Sequence, residues 1–133
     1  MELNEGKEWL VRTRKLDHRI YELSEEIKAK RSLLEVQGIS YDTVRVISTP
    51  ENKFEKVFAE IDLLQRNLDE LCDRRRNVAK EIKQEIMKLP ESPERAILIA
   101  YYVAGEKMTK ISEDLNYELT YCYTLKDKGI EQL

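Results

Sequence analysis

The run KFEKVFAEIDLLQRNLDELCDRRRNVAKEIKQEIMKL, from Lys53 to Leu89, contains no glycine or proline. Apolar residues recur at Phe54, Val57, Phe58, Ile61, Leu64, Leu68, Leu71, Val78, Ile82, Ile86 and Leu89. Steps of three and four put them on one narrow stripe of a helix, the pattern of a coiled-coil seam. Almost everything between them is charged or amide. At 1.5 Å per residue such a helix extends roughly 55 Å. A short chain cannot bury so long a stripe against a compact globule, so the stripe requires another long helix, from the same chain or a second copy.

Working back toward the N-terminus, the chain is helical from about Asn4 to Val36. Trp9, Leu16, Ile20, Leu23, Ile27 and Leu34 recur at helical steps, and Thr13 and Lys30 interrupt them. Gly38 is placed to end this helix, since glycine tolerates a positive φ. Residues 37–49 form the connection, with a β-branched alternation over Thr43–Ile47 that suggests an extended segment. Ser48-Thr49-Pro50-Glu51 then supplies a cap, a first-turn proline and a capping glutamate for the long helix. If the two helices fold back on each other, Leu34 meets Phe54, Ile27 meets Ile61, Ile20 meets Leu68, and Thr13 falls beside Arg75. The expected arm is therefore an antiparallel helical hairpin over residues 1–89.

Beyond Leu89 the pattern shortens. Pro90 cannot continue the hydrogen-bond ladder and disfavours αR at the residue before it. Ser92-Pro93-Glu94 restarts a helix that carries Ile97, Leu98, Ala100, Tyr101 and Val103 and ends at Gly105. A second short helix covers Lys107 to Leu115, with Met108, Ile111 and Leu115 on one face. Asn116-Tyr117 turns, and a last helix runs from Glu118 with Cys122, Leu125, Gly129, Ile130 and Leu133 inward. Two short helices joined by a tight turn and preceded by a third are the plan of a helix-turn-helix.

Composition sets limits. Charged residues make up 37% of the 133 residues, with four glycines and three prolines, which fits long solvated helices better than strands. The net charge of −3 is not the basic footprint of a typical nucleic-acid binder. No apolar run approaches the ~20 residues of a membrane span, and no signal-peptide core opens the chain, so a cytoplasmic protein is expected. Cys72 and Cys122 lack neighbours at ligand spacing and read as reduced, mostly buried residues. His18 reads as part of a solvated helix face. Arg74-Arg75-Arg76 could touch phosphate, but Asp69, Glu70, Asp73 and Glu81 surround it at helical pairing distances. No glycine-rich phosphate loop, nucleophile–base pair or metal-ligand cluster is found, so neither an enzyme nor a cofactor is expected.

The stretch from Leu89 to Tyr117, together with the helix after it, resembles region 4 of sigma factors. It is closer still to small Gram-positive phage and prophage transcriptional regulators of the RinA and ArpU type. The match runs over about forty residues: Leu98, Tyr101 and Tyr102 in the first helix, Ile111, Ser112 and Leu115 in the second. In the third it covers Cys122, Leu125, Lys126, Gly129, Ile130 and Leu133. The resemblance implies an all-α protein with a coiled-coil arm, 1–89, and a DNA-binding helix-turn-helix, 90–133. It implies transcriptional regulation, with Leu119, Thr120, Tyr121, Thr124 and Lys128 on the exposed face of the last helix and Lys107 and Lys110 on the bracing helix. The expected partners are duplex DNA, weakly held per protomer, and a second copy of the chain, with RNA polymerase as an alternative and no membrane. Two positions depart from the family pattern: Glu118 stands where a capping serine is usual, and Gly129 where an alanine packs. Residues 90–133 hold eight acids against five bases, a net −3, so the arm is neutral and the proposed DNA module acidic. That balance favours the rival expectation of a module that binds polymerase or another regulator without touching DNA.

Overall fold

In a computed structural model of the chain, residues 1–36 and 53–133 are described. All of their regular structure is helical, and no strand occurs among them. The connection at 37–49, the glycine stop at Gly38, the extended Thr43–Ile47 and the Ser48–Glu51 cap lie outside the described residues.

Helix α1 spans Leu3–Leu10 and α2 spans Arg12–Val36. They form one long bent helix rather than the uninterrupted one expected over Asn4–Val36. Backbone bonds continue through the bend, from Val11 N–H to Lys7 O at 2.9 Å and from Lys15 N–H to Val11 O at 2.9 Å. At the bend Arg12 Nε donates to Trp9 O at 2.8 Å, so a side chain enters the ladder there, and Thr13 Oγ1 lies 3.2 Å from Leu10 O.

Helix α3 covers Lys53–Ile86. Its end tightens: Lys88 N–H reaches Glu85 O at 3.2 Å and Leu89 N–H reaches Ile86 O at 3.0 Å, three residues back, before Pro90 closes the run. Helix α4, Pro93–Leu98, opens as its sequence requires. Ser92 is extended, its Oγ accepts from Arg95 N–H at 3.2 Å, and Pro93 occupies the first turn. The helix widens into a π turn over Ile99–Val103, where Ala104 N–H bonds Ile99 O at 2.9 Å. Helices α5, Met108–Leu115, and α6, Leu119–Gln132, complete the chain.

The described residues divide into two compact units, 1–17 with 74–133, and 18–73. The division does not fall at the expected 89/90 boundary, because α1 and the last turns of α3 supply part of the C-terminal core. In the first unit Leu10, Ile82, Ile86 and Leu89 pack with Leu98, Tyr102 and Ile130. A neighbouring cluster joins Ile97, Met108, Ile111, Cys122 and Leu125. Two glycines set how closely helices approach in this unit. A Cβ on Gly6 would lie 2.3 Å from Ile130 Cγ2, and one on Gly129 would lie 2.9 Å from Leu98 Cδ1. Gly129 therefore gives up helix propensity where an alanine would collide with α4.

In the second unit Ile27 and Leu34 of α2 share a core with Phe58 and Ile61 of α3, flanked by Phe54, Val57, Leu64 and Leu68. Lys30 and Glu60 pair there at 3.0 Å, and the Lys30 hydrogen bond holds the Glu60 carboxyl below its ordinary pKa. The expected neighbour of Arg75 was Thr13. Arg75 is instead held by Asp17, one turn on, through bonds of 2.8 and 3.3 Å. Glu81, expected to offset the arginine run, is 3.4 Å from Arg12.

Candidate functional site

The site expected from sequence is carried by α5, a tight turn and α6. Lys107 is the N-cap of α5 in an extended conformation and lends no side-chain cap, while its carbonyl accepts from Ile111 N–H at 3.1 Å. The helix ends at Asn116, which is left-handed at φ 57°, ψ 39°. Asparagine is one of the few residues other than glycine that enter this region readily. Asn116 N–H bonds Glu113 O at 3.3 Å and Tyr117 N–H bonds Ser112 O at 3.1 Å, so two of the last carbonyls of α5 are satisfied as the chain reverses. Glu118 caps α6 without a side-chain bond, and its carbonyl accepts from Cys122 N–H at 3.0 Å.

Cys122, Leu125, Lys126, Gly129 and Ile130 form the buried side of α6. The opposite side holds Thr120, Tyr121, Thr124 and Lys128, whereas Leu119 begins the row that continues through Cys122 and Lys126 and is open only because it stands in the first turn. Thr120, Thr124 and Lys128 are exposed, as are Leu119 and Tyr121 at 40% and 47%. The Tyr121 ring lies 5.3 Å from that of Tyr117, and the Thr124 hydroxyl donates to Thr120 O at 3.2 Å. On α5 both lysines are exposed; Lys110 is 3.3 Å from Glu106, and Lys107 makes no ion pair among the described residues. The seven positions thus share accessibility, in two groups on adjoining helices.

Three groups that support these helices were not anticipated. Thr13, fully buried, donates its hydroxyl to Tyr102 O at 2.6 Å, in the π turn. Arg14 donates to Tyr101 O at 3.0 Å and to Glu106 O at 3.3 Å, with its guanidinium 3.9 Å from the Tyr101 ring centroid. The bent N-terminal helix therefore satisfies carbonyls where α4 ends, a task usually left to caps or water. Lys126, 9% exposed, lies 4.9 Å over Tyr101 and 5.3 Å over Tyr123. Burial pulls its ammonium below the ordinary lysine pKa, and the nearby Asp127 charge opposes that shift. Its spacing gives it away, four after Cys122 and four before Ile130. Tyr101 is half-buried under Arg14 and Lys126, and Tyr102 takes the core position at 2%.

The remaining chemistry is plain. Cys122 is buried, which raises its thiol pKa, and Cys72 is half-buried. His18 is exposed and 2.6 Å from Glu22. Among the described residues, no three His, Cys, Asp or Glu side chains gather as a metal site would require. No described helix is long and apolar enough to cross a membrane. No protein-family model matches the chain, and neither the characterised proteins nor the solved structures compared with it show significant similarity.

Proposed function

We propose that the protein is a DNA-binding transcriptional regulator of the RinA and ArpU kind, in which α5 braces and α6 enters the major groove. One observation carries this reading. A left-handed Asn116 joins two short helices, and the second buries Cys122, Leu125 and Ile130 while leaving Thr120, Tyr121, Thr124 and Lys128 accessible. Threonine and tyrosine can contact base edges and the thymine methyl, and Lys128 and Lys107 can neutralise phosphates. In the same proposal α2 and α3 form an antiparallel hairpin, supported by the Lys30–Glu60 pair and the shared core of Ile27, Leu34, Phe58 and Ile61. With so few cations on α5 and α6, useful affinity requires two modules on one site, and the arm is the element proposed to bring two copies together. Leu64, Leu68 and Leu71 on its seam are only half-buried, and Leu63 is 54% exposed.

A second reading has its own support. Glu118 puts a carboxylate at the start of α6, where a groove-entering helix approaches phosphates, and the Tyr117–Tyr121 pair is exposed beside it. These features suit a protein partner such as RNA polymerase. Fluorescence anisotropy with labelled duplexes distinguishes the two. Under the DNA reading, Tyr121→Ala and Thr120→Ala weaken binding to a preferred site more than to bulk DNA, and Glu118→Ser tightens both. If no duplex is preferred and Glu118→Ser changes nothing, α6 does not read DNA.

A further inference from the structure

The residues that α6 turns away from the core share a chemistry. Cys122 is fully buried and marks the inward direction of the helix. At about 100° per residue, Thr120 and Thr124 each lie within about 20° of the opposite direction. Both are exposed, and they stand one turn apart. Tyr121, also exposed, flanks them, with its ring centroid 5.3 Å from that of Tyr117. A helix that enters a groove with this face outward brings the two threonines nearest to the bases.

The residue types missing from these turns narrow what they can read. Arginine or lysine pairs with guanine, and asparagine or glutamine with adenine, through two bonds to one base edge. From Glu118 to Asp127 the sequence has no arginine, asparagine or glutamine. Its one lysine there, Lys126, is buried over the Tyr101 and Tyr123 rings. The Thr124 hydroxyl is engaged within the helix, donating to Thr120 O at 3.2 Å. A threonine bonded in this way turns its hydroxyl back along the helix, and its γ-methyl is the group left to meet a ligand. The face therefore offers methyl groups and ring carbon in place of amides and guanidinium.

We infer that Thr120 and Thr124 read the 5-methyl group of thymine in the major groove, so that the preferred site carries thymines where α6 meets the bases. The inference rests on the DNA-binding reading above and names what that helix selects. The thymine methyl is the one apolar group among the patterns that the four base pairs display in the major groove. A threonine methyl packed on it takes apolar surface out of water, and burial of one such group changes Kd about fourfold.

Selection from a randomised duplex library with the full chain supplies the site. Fluorescence anisotropy then measures Kd with each thymine replaced in turn by deoxyuridine, which lacks only the 5-methyl group. At the thymines that α6 contacts, the replacement should raise Kd about fourfold. Thr120→Ser and Thr124→Ser each remove one γ-methyl and keep the hydroxyl. Each should raise Kd for the thymine duplex by about the same factor, with helicity and bulk-duplex binding unchanged. Each should also bind the thymine and deoxyuridine duplexes equally at one position, because the two methyl groups act as a pair. The inference is overturned if the enriched motif lacks thymine, or if every deoxyuridine duplex binds as its parent does. It is overturned as well if both serine variants still discriminate thymine from deoxyuridine in full. In each of those cases a motif is still selected, so the DNA-binding reading stands without it. If the library stays random, that reading falls and the inference with it.

Discussion

The bond from Thr13 to Tyr102 O is the most exacting test of how this protein is held together. Replacing Thr13 with valine keeps the shape of the side chain and removes the donor. In the structure the hydroxyl is fully buried, 2.6 Å from Tyr102 O and 3.2 Å from Leu10 O. Its loss deprives the Tyr102 carbonyl of a donor where water does not reach, which costs about 1–3 kcal/mol. The added methyl recovers a part, so a net loss of about 1.5 kcal/mol is expected. For a chain of this size that lowers Tm by roughly 6 °C. Urea unfolding followed by Trp9 fluorescence reports it directly, because Trp9 packs on the cluster that contains Leu10 and Tyr102. Arg14→Ala should add a comparable loss, since its donors to Tyr101 O and Glu106 O go with it. A Thr13→Val protein that melts within roughly 1 °C of the wild type would refute the assignment.

Three further outcomes are expected. Gly129→Ala gains helix propensity of up to about 1 kcal/mol but meets Leu98 Cδ1 at 2.9 Å, and Gly6→Ala meets Ile130 Cγ2 at 2.3 Å. Both should lower the unfolding free energy, Gly6→Ala by about 2 kcal/mol and Gly129→Ala by less, and a raised urea midpoint would show that the helices can part freely. Burial, reinforced by charge on Tyr101 and Asp127, pushes the Tyr102 phenol up to about 12. The folded state therefore keeps a proton that the unfolded state releases, and stability present below pH 10 falls as pH rises toward 12. Tyr102→Phe should show a shallower alkaline decline by urea titration, and an identical profile would contradict the shift. Ile61→Asp places an unpaired charge in a fully buried position among Ile27, Leu34 and Phe58. It should cost several kcal/mol and abolish the cooperative loss of helicity by circular dichroism in that unit, whereas full retention would disprove the seam.

How much of this was legible in the sequence depends on the range of the interaction. Helix ends governed by local chemistry could be read from residues: Pro90 after Leu89, Ser92-Pro93 before α4, and Asn116 between α5 and α6. The apolar members of the buried side of α6, Cys122, Leu125, Gly129 and Ile130, followed from spacing, though Lys126 among them did not and Leu133 is only half-buried; Thr120, Tyr121, Thr124 and Lys128 lie exposed. The bend at Val11 was not, because it falls where the Arg12 side chain takes a backbone carbonyl inside an otherwise regular pattern. Nor was the role of Thr13, which looked like a polar flaw in an apolar stripe. Its partner lies 89 residues away, and nothing local marks a threonine that will cap another helix. Gly6 had the same ambiguity, since a glycine in a helical pattern reads as weak propensity until Ile130 is seen against it. Arg75 looked like one member of a self-compensating charge run, and its partner proved to be Asp17 on another helix.

The central claim, that α6 reads DNA, is tested most directly by in vitro selection from a randomised duplex library with the purified full chain. The account predicts that successive rounds enrich a short motif, present in two copies if the arm joins two protomers. It also predicts that Tyr121→Ala protein no longer enriches that motif while still retaining bulk duplex at low salt. A library that stays random for the wild type, under conditions where the protein is folded by circular dichroism, would contradict it.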